Sequence, residues 1–127
     1  MNVLFDCLFV GIGGTAGALC RFAIAAACQS MLKTSFPIAT LIANVAGCFL
    51  IGLLIGSDHE MRSRHLRTFF GIGFLGALTT FSTFGAETVA AASGGQTATA
   101  VLNVVVNVSL GLVAVVAGMT VGRTWLR

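Results

Sequence analysis

Two stretches without charge constrain this chain more than anything else in it. Residues 34–57 contain no Asp, Glu, Lys or Arg, and residues 68–122 contain only Glu87. An α-helix needs about 20 apolar residues to cross the hydrocarbon of a bilayer, and inside lipid every backbone N–H and C=O must find its partner within the structure. With 57% of its residues hydrophobic and 9% charged, the composition excludes a water-soluble domain. The apolar runs divide into four predicted helical spans, at about 3–28, 37–56, 69–93 and 98–121. These consume most of residues 1–127, so the chain reads as a single all-α integral membrane domain in contact with lipid, whose chemistry belongs inside the bilayer or at its faces.

The first span reads as a retained helix: its leading charge is Asp6, and it has no clear signal-peptide core and cleavage pattern. Small residues recur every four positions, as Gly13 and Gly17, as Ala39, Ala43 and Gly47, as Gly52 and Gly56, and as Gly118 and Gly122. That spacing lets helix backbones approach closely in lipid. Pro37 suits the first turn of the second span. Cys7, Cys20, Cys28 and Cys48 lie in apolar segments without CxxC spacing and read as small buried residues. His59 and His65 flank a hydrophilic loop at 57–67 and lack metal-ligand spacing. The net charge of +3 comes mainly from short basic segments, with Trp125 and Arg127 as an interfacial anchor, which suits lipid headgroups rather than nucleic acid.

Residues 71–84, GIGFLGALTTFSTF, depart from the apolar pattern: three glycines, three threonines and Ser82 stand among Phe74, Phe81 and Phe84. Glycine lowers the cost of leaving helical geometry, and Thr and Ser hydroxyls satisfy backbone groups that an interruption exposes. Unwound backbone at membrane depth is tolerated only where protein buries it or it lines a wet cavity, and its freed carbonyls are ligands for a small hard cation. One reading is a broken third helix with an ion at the break. The other is a bent helix with small residues at a packing interface.

Polar residues on the remaining helices form stripes. Thr40 and Asn44 share a face of the second span. Thr80, Thr83, Phe84 and Glu87 fall within one arc at about 100° per residue, with Phe81 at its edge. In the fourth span Thr99, Asn103, Asn107 and Gly111 recur every four residues, and Ser109 lies off that line. Each has a structural alternative: hydrogen-bonded glue between helices for Thr40 and Asn44, a neutral partner for Glu87, and snorkelling to the interface for Arg21. Taken as a lining, the stripes offer mostly neutral donors, with Arg21 as the charge near an entry vestibule, so they favour an anion. Phe81 and Phe84 fit the same reading, because an aromatic edge is partly positive and can face an anion. A small, strongly hydrated anion needs such donors most, and a pore without large fixed charge binds it weakly enough to let it leave.

The segments GGTAGALCRF, PIATLIANVAGCFLIG and GFLGALTTFSTFGAET resemble those of the CrcB/Fluc fluoride channels, and the resemblance extends along almost the whole chain. The TTFSTF segment with a glycine shortly before it is its most specific part. The resemblance implies an antiparallel, dual-topology homodimer of four-helix subunits with two fluoride pores. It also implies a structural sodium ion at the dimer centre, on carbonyls of Gly76 and Thr79 from each subunit. Asn44 would donate to fluoride, and Phe81 and Phe84 would be ring-edge donors. Thr40, Thr80, Thr83, Glu87, Asn103, Asn107 and Ser109 would belong to the polar track, with Arg21 near a vestibule. The implied role is passive export of fluoride from the cytoplasm through the plasma membrane, the inner membrane of a bacterium, which relieves fluoride toxicity.

Three features depart from the family's common pattern. Ala77 stands where glycine is usual, and Asn103 and Asn107 stand where Tyr and Ser are familiar. Charge is also uneven: Arg62, Arg64, Arg67, Arg123 and Arg127 fall on one side of four spans and Lys33 on the other. Read alone, this places both termini in the cytoplasm; either Asp58 and Glu60 of the short loop blunt the bias, or the subunit inserts mainly one way and pairs with an oppositely oriented relative instead of forming a homodimer. The competing function is a small proton-coupled multidrug-type exporter using Glu87, although such exporters carry their essential Glu in the first helix. A non-transporting membrane subunit would need the close-packing glycines but not three aligned polar stripes. No nucleophile–base pair, metal-ligand spacing or phosphate loop indicates an enzyme.

Overall fold

The computed structural model describes residues 3–57 and 64–125, and among these it is entirely helical, without strands. Four helical spans are long and apolar enough to cross a membrane, Val3–Met31, Ile38–Gly56, Arg64–Ser93 and Thr97–Thr124. We label the helices α1 (Val3–Met31), α2 (Ile38–Gly56), α3 (residues 64–78), α4 (Phe81–Ser93) and α5 (Thr97–Trp125). The third span thus contains both α3 and α4. Over Arg67–Leu75 α3 is wound wider than an α-helix, in π-type geometry. Thr79 and Thr80 then adopt extended backbones, with φ −79°, ψ 154° and φ −151°, ψ 112°.

Helices run past the apolar cores that the sequence marks. The third span begins at Arg64 rather than near residue 69, so Arg64 and Arg67, expected in a loop, are helical. Their heads stay exposed while the Thr68 hydroxyl donates to the Arg64 carbonyl at 2.8 Å, which secures that first turn. Arg64 also reaches Asp6 on α1, with Nε donating to Oδ1 at 3.1 Å and a second contact from its terminal nitrogen. The loop charges Asp58, Glu60 and Arg62, together with His59, lie outside the described residues, as do the Trp125 side chain and Arg127.

Small residues decide which helices touch. A Cβ on Gly13 would strike the Phe69 carbonyl, and one on Gly17 the Phe74 carbonyl, so α1 lies directly on the backbone of α3. In the same way Gly52 meets Val115, and Gly118 meets Phe49, which brings α2 and α5 together. Cys7 and Cys20 are exposed, and Cys28 and Cys48 are half-buried, so the expectation of four buried thiols does not hold within this chain. The contact face of α1 is carried by Gly13 and Gly17, and the thiols of Cys7 and Cys20 stand off it. Between α4 and α5 the chain reverses at Gly95, whose φ of +78° favours glycine, while the Gln96 N–H donates to the Ala91 carbonyl at 2.8 Å. The apolar core is thin, with Ala43, Leu75, Leu78, Ala100 and Ala114 its buried hydrophobic residues, while large apolar side chains cover the outside. That inversion is what a lipid solvent permits, and the chain is a multi-pass membrane protein.

Candidate functional site

Where helical geometry lapses, backbone groups lose their partners, and the residues around Thr80 show how they are recovered. In a continuous helix the Thr80 N–H would donate to the Gly76 carbonyl, four residues back. It donates instead to Asn44 Oδ1 on α2, at 2.9 Å. Thr80 is also the N-cap of α4: its hydroxyl oxygen accepts the Thr83 N–H at 3.3 Å, and its proton goes to the Thr83 hydroxyl at 3.0 Å. An extended residue with a short hydroxyl side chain is well suited to that position. Thr79 closes the end of α3, its N–H and hydroxyl both donating to the Leu75 carbonyl at 3.0 and 2.9 Å.

Asn44 links this interruption to α5. Its Nδ2 donates to Asn107 Oδ1 at 3.2 Å and lies 3.5 Å from the Thr80 carbonyl oxygen. Asn107 Nδ2 in turn donates to Asn103 Oδ1 at 2.8 Å and to the Asn103 carbonyl at 3.1 Å. Asn103, 1% exposed, donates from Nδ2 to the Thr88 hydroxyl at 2.8 Å. The three stripes therefore meet in one network that joins α2, α4 and α5. Buried amides in lipid demand such partners, because an unpaired one costs several kcal/mol, roughly as an unpaired backbone group does.

A second junction lies four residues earlier on α2. The Thr40 hydroxyl donates to Glu87 Oε1 at 2.9 Å. Glu87 Oε2 is buried and has no hydrogen-bond partner, and the same holds for Nε of Arg21. Among the described residues the only ion pair is Arg64 with Asp6, so neither of these intramembrane charges is neutralised by a salt bridge.

Beside the interruption is a cavity of about 440 Å³. It is bordered by Asn44 and Asn107, by Gly76, Thr79 and Thr80, and by the rings of Phe81 and Phe84. The two rings lie 5.6 Å apart at 50°, and Phe81 is 84% exposed on the surface of this chain. Thr40, Thr83, Glu87 and Asn103 do not border the cavity; Thr83 and Asn103 are hydrogen-bonded to Thr80 and Asn107, which do, and Thr40 and Glu87 are bonded to each other. Arg21 does not border it either, and Ser109 is exposed on α5, away from the network.

Sequence reasoning missed Thr88 and the placement of Cys48 and Gly47. Cys48 borders the cavity one turn beyond Asn44. Gly47 is needed there because a Cβ on it would collide with the Thr79 methyl group, so only glycine lets α2 approach the interruption. The four-residue spacing of Ala43 and Gly47 carried that signal for the helix pair, though not for its partner residue. Thr88 stands four residues after Phe84, so the periodicity of α4 places it between Phe84 and Phe81 on the same arc; what that spacing could not give is Asn103 as the group that donates to it.

Comparison with known proteins adds an independent line. The model for the family described as CrcB-like protein, Camphor Resistance (CrcB), matches residues 8–119. A protein of Idiomarina loihiensis named "Fluoride-specific ion channel FluC" is 42% identical, over 99% of this chain and 98% of its own length. Relatives of the same name from Acidobacterium capsulatum and Ruminiclostridium cellulolyticum are 45% and 38% identical, covering 91% and 98% of this chain and 94% and 97% of theirs. A family model that matches residues 8–119, with relatives 38–45% identical over 91–99% of the chain, establishes that this chain belongs to the CrcB-like protein family.

Proposed function

We propose that this protein is a fluoride-selective ion channel that releases fluoride from the cytoplasm passively and so limits its toxicity. The observation that carries the reading is the cavity bordered by Asn44, Asn107, Phe81 and Phe84: neutral amides and aromatic rings without a fixed charge. The relatives named for fluoride conduction agree with that chemistry. Asn44, Phe81 and Phe84 are the residues we assign to fluoride contact. Thr40, Thr80, Thr83, Glu87, Asn103 and Asn107 form the polar track and its support, Ser109 is an outlying member, and Arg21 serves a vestibule.

The functional unit in this reading is an antiparallel homodimer of dual topology, in the bacterial inner membrane, with the third-span interruption near its centre. The exposed Phe81 supports a second copy, since a ring left on the surface of one chain becomes part of an enclosed pathway only when another covers it. A structural sodium ion fits the interruption. The Thr80 N–H is taken by Asn44, which releases the Gly76 carbonyl, and the Thr83 N–H is taken by the Thr80 hydroxyl, which releases the Thr79 carbonyl. Carbonyl oxygens of Gly76 and Thr79 would hold the ion, which would supply positive charge to the dimer centre without being transported.

The test is anion efflux from liposomes carrying the purified protein, with fluoride and chloride compared under a clamped potassium diffusion potential. Fast fluoride loss without chloride loss is the expected outcome. Absence of both fluxes, persisting when an oppositely oriented relative is co-expressed, would refute the channel reading.

A further inference from the structure

Thr88 closes a ring of hydrogen bonds that can run in only one direction. Its hydroxyl has a single proton, which goes to the Phe84 carbonyl at 2.7 Å. Toward Asn103 the hydroxyl oxygen is therefore an acceptor, and Asn103 turns its Nδ2 to it at 2.8 Å. Asn103 Oδ1 then faces Asn107 and accepts from its Nδ2 at 2.8 Å. Asn107 Oδ1 is left as the acceptor for Asn44 Nδ2 at 3.2 Å, and Asn44 Oδ1 accepts the Thr80 N–H at 2.9 Å. Both ends are backbone groups of the third span, a fixed donor at Thr80 and a fixed acceptor at Phe84. Turning over Asn44 or Asn107 would set donor against donor on one side and acceptor against acceptor on the other, and turning over Asn103 would set donor against donor at Asn107 and draw the Thr88 proton off the Phe84 carbonyl. At Asn103, 1% exposed and away from the cavity, solvent cannot repair the mismatch.

We propose that Thr88 is a positioning residue for the ion pathway: through Asn103 and Asn107 it braces, from the end opposite the Thr80 N–H, the Asn44 carboxamide that accepts from Thr80 on one edge and is offered as a donor beside the cavity on the other. One Nδ2 proton of Asn44 is held by Asn107. The other reaches only a 3.5 Å contact with the Thr80 carbonyl, at the limit of hydrogen bonding, and is the one free to turn to an anion. Without the Thr88 oxygen, Asn103 Nδ2 loses its acceptor, and the Thr80 N–H is left to orient the amides from one end alone. The link to flux rests on the fluoride-channel reading, whereas the orientation is a property of the folded chain.

The sequence has four asparagines, Asn2, Asn44, Asn103 and Asn107, so protein labelled with nitrogen-15 asparagine gives a side-chain amide spectrum simple enough to assign. Thr88→Val preserves shape and removes the hydroxyl, and Thr88→Ser keeps the hydroxyl. For Thr88→Val we expect the Asn44 and Asn107 amide signals to move or broaden along with that of Asn103, and fluoride efflux to fall about tenfold; Thr88→Ser should stay within about twofold of the parent. An unmoved Asn44 signal overturns the proposal, as does a moved signal with unchanged flux, or a Thr88→Ser variant as impaired as Thr88→Val. Should Thr88→Val not assemble, Thr88→Ala takes its place. Parent protein that passes no fluoride strikes the channel reading instead, and the Asn44 signal still decides whether Thr88 orients the amides.

Discussion

The Asn44 side-chain oxygen accepts the Thr80 backbone N–H at 2.9 Å, a bond that an unbroken helix would have given to the Gly76 carbonyl. One residue of α2 thus substitutes for a lost helical bond in the third span, frees a carbonyl there, and turns its own amide nitrogen toward α5. Structure and proposed conduction meet in this side chain, and its substitution should separate them.

Asn44→Asp keeps the acceptor for Thr80 but replaces the amide donor with negative charge beside the cavity. Fluoride efflux should fall by about tenfold or more, because like charge and a lost donor both disfavour the anion. The Thr80 contact survives, so the variant should still assemble, as read by size-exclusion chromatography. Parent-like efflux would remove Asn44 from the pathway.

Phe81 is 84% exposed in this chain, so Phe81→Ile should cost the isolated fold little, within roughly 0.5 kcal/mol. It removes the aromatic edge, and efflux measured in liposomes should drop several-fold or more. A variant whose thermal stability collapses along with its flux would instead mark Phe81 as a packing residue.

Glu87→Gln distinguishes a channel from a proton-coupled exporter. The amide still offers an oxygen to the Thr40 hydroxyl, which now reaches Glu87 Oε1 at 2.9 Å. Passive, voltage-driven fluoride efflux should partly survive. Complete loss, together with substrate uptake driven by a pH gradient in the parent protein, would favour the exporter.

Gly52→Val places branched carbon where the Val115 carbonyl lies, and Gly118→Val does the same against Phe49. Each should separate α2 from α5 and cost several kcal/mol, abolishing purification of folded protein. Gly11→Ala, with nothing within 4 Å of the added Cβ, should be neutral in the same thermal-shift and chromatography assays.

Much of this protein can be read without coordinates, for reasons that lie in its solvent. Hydrocarbon forces apolar runs into helices, so the absence of charge in residues 34–57 and the lone Glu87 in 68–122 were sufficient to predict three spans, and the long apolar run at 3–28 supplied the first. Four-residue glycine spacing marked the faces that pack, and the polar stripes marked Asn44, Glu87, Asn103 and Asn107 as residues in need of partners. Spacing along one helix, however, carries no information about which residue of another helix faces it. That Gly13 lies on Phe69 and Gly52 on Val115, that Thr40 reaches Glu87 while Asn44 reaches Thr80, and that Thr88 ends the amide ring are all decided by how the helices are rotated and offset against one another. Helix ends escaped periodicity for a related reason: Arg64 is held by a local bond from Thr68 and by Asp6, and the Asp6 contact exists only once α1 and α3 have met.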